Sequence, residues 1–250
     1  MEIKVVKLYE NGFMTRPFAM AGGDDPKNYD ANVKYPSSLQ NFLIDTGSEV
    51  ILVDTGMPLE TKDTVPSEKT QIFTGTRIKD YVSAFEDLGY KKEQVTKILV
   101  THKHPDHTGE LRSFPNAKIY IGPEDADALK LNGENIIRCG YKDGAYYNFE
   151  HSEKVADGVY FIKARGHTNG NSIIIAEADG IFYMMHGDVT YTDEALKENK
   201  LSIVFEDLDA ARDTLNRVRD FIKSHPTVYL STHTPFGISN LENKVIMKLD

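Results

Sequence analysis

A cluster of potential metal ligands lies between residues 102 and 107, in the order His-Lys-His-Pro-Asp-His. It directly follows the apolar run 97–101, which has the character of a buried strand. Imidazole and carboxylate groups are the ligands that zinc and related transition metals prefer. Packed together without a cation, such groups would desolvate and repel one another. The pattern therefore predicts a metal site at a strand end. The alternative is a polar surface loop that happens to be rich in histidine.

Three further positions place a histidine or an aspartate just beyond a short apolar run: His167, Asp188 and His233. A single strand-end histidine is more typical of a hydrogen-bonded structural residue. Strand ends along one edge of a sheet converge in space, and ligands of open α/β sheets bind there. The three positions taken with the cluster therefore favour one shared site.

The candidate ligands divide into two sets that could each hold one divalent ion, with one further aspartate as a bridge. The first set is His102, His104 and His167, the second is Asp106, His107 and His233, and the bridge is Asp188. Two carboxylates and a bridging hydroxide would offset about three of about four positive charges, which leaves a Lewis-acidic excess suited to an anionic transition state.

Short apolar strands and amphipathic helices must position these ligands. Helices are predicted over residues 77–88, ending at Gly89, from Pro123 onward, and over residues 207–223. Strands are predicted over residues 3–9, 41–44, 50–53, 97–101, 117–121, 159–162, 172–176, 181–185 and 227–230, with a hairpin turn at 45–49. Each half of the chain offers strands and then helices, which favours two packed sheets with helices outside.

Composition restricts the class of protein. The 250 residues are 40% hydrophobic and 27% charged, enough for one sizeable domain with its own core. The net charge of −9 without basic clusters disfavours nucleic acid as a partner. No apolar run is long enough to span a membrane, and the charged N-terminus lacks the pattern of a signal peptide. The single cysteine, Cys139, excludes an internal disulfide, and we therefore expect a cytoplasmic protein. The sequence leaves open whether it is a monomer or a homodimer.

The ligand motifs resemble those of the metallo-β-lactamase fold hydrolases and, within them, of the N-acyl homoserine lactonases. The stretches that carry the resemblance are residues 50–56, 101–109, 166–168, 187–188 and 232–233, in the family's order. The resemblance implies a mixed α/β class, a four-layer αββα sandwich forming a single domain over residues 1–250. It also implies two divalent ions, with zinc first and iron, manganese or cobalt as alternatives. Asp54 would then support the metal loop rather than merely end a turn.

The narrower similarity to the lactonases depends on Tyr191, three residues after the bridging Asp188, and on residues 53–58. In that family the phenol helps to polarise the substrate carbonyl, whereas the alternative is an aromatic at the rim without a catalytic role. The resemblance implies quorum quenching by hydrolysis of a homoserine lactone. A hydroxide shared by two ions would attack the carbonyl, Tyr191 would stabilise the oxyanion, and Asp106 would pass the proton to the leaving alkoxide.

Other functions remain open at this stage. A thioesterase of the glyoxalase II type, or another ester hydrolase, would use the same scaffold, but residues 234–238 lack the positive charge those thioesterases usually carry. A non-enzymatic metal-binding protein is a more distant alternative. Glu110 and Pro105 depart from the usual pattern, and residues 139–149 have no counterpart in it. The segments 21–40 and 57–76 are expected to be irregular loops that line the site.

Overall fold

Two β-sheets pack face to face and carry helices on their outer sides. This arrangement comes from a computed structural model that describes residues 1–21, 30–202 and 206–250. The four-layer αββα sandwich expected from the sequence is confirmed. None of the helices in these ranges is long and apolar enough to cross a membrane.

The first sheet has the strand order β4-β1-β2-β3-β6-β7-β8, with β5 also paired to β1. Strands β1 to β3 are antiparallel, and β3, β6, β7 and β8 run parallel. The bounds are β1 Glu2–Thr15, β2 Lys34–Asp45, β3 Val50–Val53, β4 Ile72–Phe73, β5 Thr76–Arg77, β6 Val95–Leu99, β7 Lys118–Ile121 and β8 Ile136–Arg138.

The second sheet has the order β14-β13-β12-β11-β10-β9 and is antiparallel except for the parallel pair β13 and β14. Its strands are β9 Gly144–Tyr146, β10 Phe149–Ala156, β11 Val159–Lys163, β12 Ser172–Ala178, β13 Ile181–Met185 and β14 Thr227–Leu230. The helices are α1 Tyr81–Glu86, α2 Pro105–Thr108, α3 Pro123–Ala128, α4 Asp193–Lys197, α5 Leu208–Ser224 and α6 Phe236–Glu242, with a π-helical turn at Pro17–Ala21 and 3-10 turns at Lys92–Gln94 and Leu111–Ser113.

Three apolar layers hold the sandwich together. The central layer joins the inner faces of both sheets and includes Phe42, Leu99 and Ile174. The first sheet packs its outer face against α1 and α3, and the second packs its outer face against α5. Burial of these side chains is the main favourable term in forming the sandwich.

Several predicted boundaries were wrong. The helix predicted over 77–88 begins only at Tyr81, because the Asp80 side chain caps it by accepting the Ser83 N–H at 3.0 Å. Ile78 is consequently exposed. The first strand continues to Thr15, and β2 starts at Lys34, so the last part of the predicted loop 21–40 is a strand. Residues 22–29 of that loop lie outside the described ranges.

Strand direction explains how distant segments meet at one edge. Strands β3 and β6 are parallel, so both leave the first sheet at the same edge. In the second sheet β11 and β13 are both antiparallel to β12, and β14 is parallel to β13. Their carboxyl ends therefore also share an edge. The loops that follow β6, β11, β13 and β14 contain every candidate ligand.

Candidate metal centre

The first group of donors forms where the loop after β6 meets the loops after β11 and β13. His104 Nδ1 lies 3.0 Å from both His102 Nε2 and His167 Nε2. Asp188 Oδ2 lies 3.6 Å from His102 Nε2 and 3.4 Å from His167 Nε2. The structure thus brings together the first set predicted from the sequence and the proposed bridging aspartate.

The second group forms between α2 and the loop after β14. His233 Nε2 lies 3.4 Å from Asp106 Oδ2 and 3.2 Å from Asp188 Oδ1. His107 Nε2 lies 3.8 Å from Asp106 Oδ2 and 3.3 Å from Asp188 Oδ1. Asp188 therefore turns one carboxylate oxygen toward each group, as a bridging ligand requires.

The spacing of these donors fits a pair of tetrahedral ions. Zinc bonds of about 2.0–2.1 Å place neighbouring ligand atoms about 3.3 Å apart. His107 Nε2 and Asp188 Oδ1 are buried and have no hydrogen-bond partner among the described residues. A buried unpaired polar atom costs about 1–3 kcal/mol, and a cation between these donors removes that cost. The residues present therefore fit two divalent ions.

Burial and neighbouring charges shift the pKa values of the buried histidines in opposite directions in the two groups. Burial lowers the pKa of His102 well below its ordinary value and that of His167 to about 4, which keeps both imidazoles neutral with a free lone pair. Burial alone would lower the pKa in the second group as well, but the Asp188 and Asp106 carboxylates, joined at His107 by Asp54, together outweigh it and raise the pKa of His107 and His233. Burial would raise the pKa of Asp188, yet His233 and His107 hold it well below its usual range.

A buried network behind the donors orients the imidazole rings. Asp54, at the end of β3, accepts the Thr101 N–H at 2.7 Å and the Thr101 hydroxyl at 2.8 Å, and its Oδ2 lies 2.7 Å from His107 Nδ1. A carboxylate only accepts, so in neutral His107 the proton sits on Nδ1 and Nε2 keeps its lone pair. Thr101 Oγ1, whose proton faces Asp54, lies 3.1 Å from His102 Nδ1 and can accept from it. Asp54 thus supports donors in both groups.

Tyr191 lies beside the cluster and is almost fully buried. Its ring centroid is 5.1 Å from that of His233 and 6.0 Å from that of His167. Burial, with Asp188 nearby, raises the pKa of Tyr191 well above its ordinary value, so the phenol keeps its proton at neutral pH. Asp106, in contrast, is 20% exposed at its side chain, whereas Asp188 is 2% exposed.

Sequence reasoning missed two buried residues that contact the ligand loops, Thr101 and Asp125. A threonine at a strand end and an aspartate in the first turn of a helix are common, and neither gave a signal in the sequence. His186, two residues before Asp188, lies outside both donor groups and stacks its ring on that of Tyr229, with the ring centroids 3.9 Å apart.

Comparison with known proteins gives one family and several relatives. Residues 40–233 match the metallo-beta-lactamase superfamily. An N-acyl homoserine lactonase from Bacillus sp is 26% identical over 201 residues, covering 75% of this chain and 78% of the relative. Among solved structures, an N-acyl homoserine lactone hydrolase with N-hexanoyl-L-homoserine at its catalytic metal centre has a TM-score of 0.69 at 18% identity, covering 99% of this chain and 96% of that one. AidC, a dizinc quorum-quenching lactonase, has a TM-score of 0.63 at 19% identity, with coverages of 93% and 90%.

Proposed function

The chain belongs to the metallo-beta-lactamase superfamily, and on that premise we propose that it is a dinuclear metal hydrolase that opens the lactone ring of N-acyl homoserine lactones. The observation that carries the proposal is Asp188, which faces one donor group with each oxygen and has Tyr191 beside it. The lactonase relative and the like folds of two lactonases support the choice of substrate.

Seven side chains would hold the ions: His102, His104 and His167 around one, Asp106, His107 and His233 around the other, and Asp188 between them. Zinc is the first choice for this nitrogen-rich set, with iron, manganese or cobalt as alternatives. When bound, two such ions supply Lewis acidity and make hydroxide available near neutral pH.

The chain's own residues supply the remaining chemistry. The protonated phenol of Tyr191 donates a hydrogen bond to the oxyanion that forms when the lactone carbonyl is attacked. Asp106 reaches solvent, so it can orient the attacking water and return its proton to the ring oxygen as the ring opens. The buried Asp54 and Thr101 orient the rings of His107 and His102, so that the Nε2 atom of each ring faces the centre.

A hydrolysis panel tests this function on the purified protein after elemental analysis. The substrates are homoserine lactones of several chain lengths, a glutathione thioester, a β-lactam and a phosphodiester. We expect two ions per chain and the largest kcat/KM on a lactone. Asp188→Ala should lose metal and activity together, while Asp157→Ala, which removes a fully exposed carboxylate, should keep both.

Either of two results would contradict the proposal. Full activity in Asp188→Ala would end the bridging role. A thioester hydrolysed faster than any lactone would leave the metal centre in place but move the substrate class to that of the glyoxalase II type.

A further inference from the structure

Asp125 is a buried carboxylate that the proposed mechanism does not use. It lies in the first turn of α3 and has no exposed surface. Burial raises the pKa of this carboxyl, because an ion in an apolar environment loses its hydration. Burying a carboxylate destabilises the folded chain unless the group is hydrogen-bonded, so its hydrogen bonds show what it holds in place.

The Asp125 carboxylate joins two loops that are far apart in sequence. Its Oδ2 accepts the Lys103 backbone N–H at 2.9 Å and the Thr168 hydroxyl at 2.6 Å. Its Oδ1 accepts the Gly170 N–H at 3.2 Å. Lys103 stands between His102 and His104, and Thr168 directly follows His167. One carboxylate therefore ties together the backbone segments that present all three imidazoles of the first group.

Close packing fixes the loop after β11 against the start of α3, which carries Asp125. A Cβ on Gly170 would lie 2.6 Å from Asp125 Cγ, and a Cβ on Gly122 would lie 2.2 Å from the Gly170 carbonyl oxygen. The loop after β11 therefore lies directly against the start of α3. This contact leaves Asp125 little freedom to take another position.

The same carboxylate makes no hydrogen bond or ion pair to the residues of the second group within the described ranges. That group depends on Asp54, through its contact with His107 Nδ1. The two buried aspartates thus support different donors. The Asp125 carboxylate contacts the loops of the first group, whereas Asp54 contacts His107 of the second group and, through Thr101, His102 of the first.

We propose that Asp125 is the positioning residue of the first ion: it fixes the backbone on both sides of the cluster so that the ring nitrogens of His102, His104 and His167 converge. This inference rests on the proposed dinuclear centre. Asp125 is then expected to strengthen the binding of the first ion and to leave the binding of the second ion unchanged. Removing a group that orients metal ligands weakens binding by about 10- to 100-fold.

The test isolates each ion before Asp125 is changed. His233→Ala leaves the first group intact, and His104→Ala leaves the second. Asp125→Ala and Asp125→Asn are then made in both backgrounds, and the Zn²⁺ dissociation constant is measured by competition with a chromophoric chelator. Visible spectra of the Co²⁺ forms report whether the ligand geometry changes. Asparagine keeps an acceptor for Lys103 and Thr168 but turns an amide N–H toward Gly170, so its effect should be smaller than that of alanine.

We expect the dissociation constant to rise about 10- to 100-fold in the His233→Ala background and to stay within about twofold in the His104→Ala background. Glu153→Gln is the matched control, because Glu153 is also buried and accepts a backbone N–H, that of Tyr141 at 3.1 Å, outside the metal loops. It should leave both constants unchanged, and thermal unfolding of the apoproteins shows that every variant is folded.

The outcomes separate this inference from the proposed function. Equal losses in both backgrounds, or no loss in either, would overturn the role of Asp125 while leaving the dinuclear centre standing. A chain that binds no divalent ion in any background would overturn the centre itself. Normal metal binding without lactone hydrolysis would overturn only the substrate.

Discussion

At the scale of single residues, the contrast between Tyr191 and Asp188 separates metal binding from catalysis. Both are buried at the centre, but only Asp188 belongs to a donor group. We predict that Tyr191→Phe keeps two ions per chain and lowers kcat by about 100-fold, because an oxyanion loses one hydrogen-bond donor. Steady-state kinetics with elemental analysis measure both quantities.

Tyr229→Phe is the control for this prediction. Tyr229 is also fully buried, but its hydroxyl lies 2.8 Å from Thr190 Oγ1 and belongs to neither donor group. Its kcat should stay near that of the unchanged chain. An unaltered kcat in Tyr191→Phe would contradict the prediction and would leave Tyr191 as an aromatic residue at the rim without a catalytic role.

The donor set could be predicted from the sequence because histidine and aspartate at strand ends are conspicuous. The proposed role of Asp125 could not be, since it depends on contacts with Lys103 and Thr168, which are distant in the chain. Nothing in the sequence shows that α3 docks on the loop after β11. Residues that act through another residue's backbone are visible only once the fold is known.

At the scale of elements, α5 holds the His167 loop by direct contact of backbones. Gly166 has φ +135°, and a Cβ there would lie 2.3 Å from the Cα of Ala211 in α5. Gly180, in the turn between β12 and β13, has φ +76°, but a Cβ there would meet nothing within 4 Å. Both glycines have a positive φ, but only Gly166 also lies against the backbone of another element.

We predict that Gly180→Ala costs about 1–2 kcal/mol from backbone strain alone. Gly166→Ala should cost about 1–3 kcal/mol more, because α5 must move away. Each kcal/mol lowers Tm by about 2–4 °C in a chain of this size. Thermal unfolding of the apoproteins measures the difference, and equal shifts in the two variants would contradict the close contact.

The elements themselves were predicted unevenly. The α5 helix follows its prediction within a residue, since the buried stripe of Leu215, Val218 and Ile222 is long and regular. Residues 77–88 also have apolar spacing, yet Arg77 pairs in β5 and Asp80 starts the helix late. A side-chain cap and a two-residue edge strand have no strong sequence pattern, so the ends of a helix are harder to predict than its centre.

At the scale of the whole molecule, the candidate centre joins the two sheets. His102, His104, Asp106 and His107 follow β6 of the first sheet, while His167, Asp188 and His233 follow strands of the second. Ions bound there would stabilise the native chain, because the unfolded chain does not assemble these donors. The edge of the sandwich is therefore predicted to be a metal-dependent part of its stability.

Removing both ions with a chelator should lower Tm by about 20 °C, because each ion, free at about 1,000 times its dissociation constant, stabilises the native chain by about 4 kcal/mol. Adding back Zn²⁺ should restore the original Tm. Calorimetry of the loaded, stripped and reloaded protein measures both shifts. An identical Tm in all three forms would contradict a centre that joins the sheets.

The side chains around Tyr191 come partly from the N-terminal segment. Met14, Ala19 and Met20 pack against Tyr191 together with Ala195 of α4. The match to the superfamily begins only at residue 40, while all seven donors lie inside it. Substitutions in the N-terminal segment would thus change the apolar surroundings of Tyr191 without replacing any of the seven donors. Under the proposed function, the residues that would select the substrate are therefore separate in the chain from those that would hold the ions.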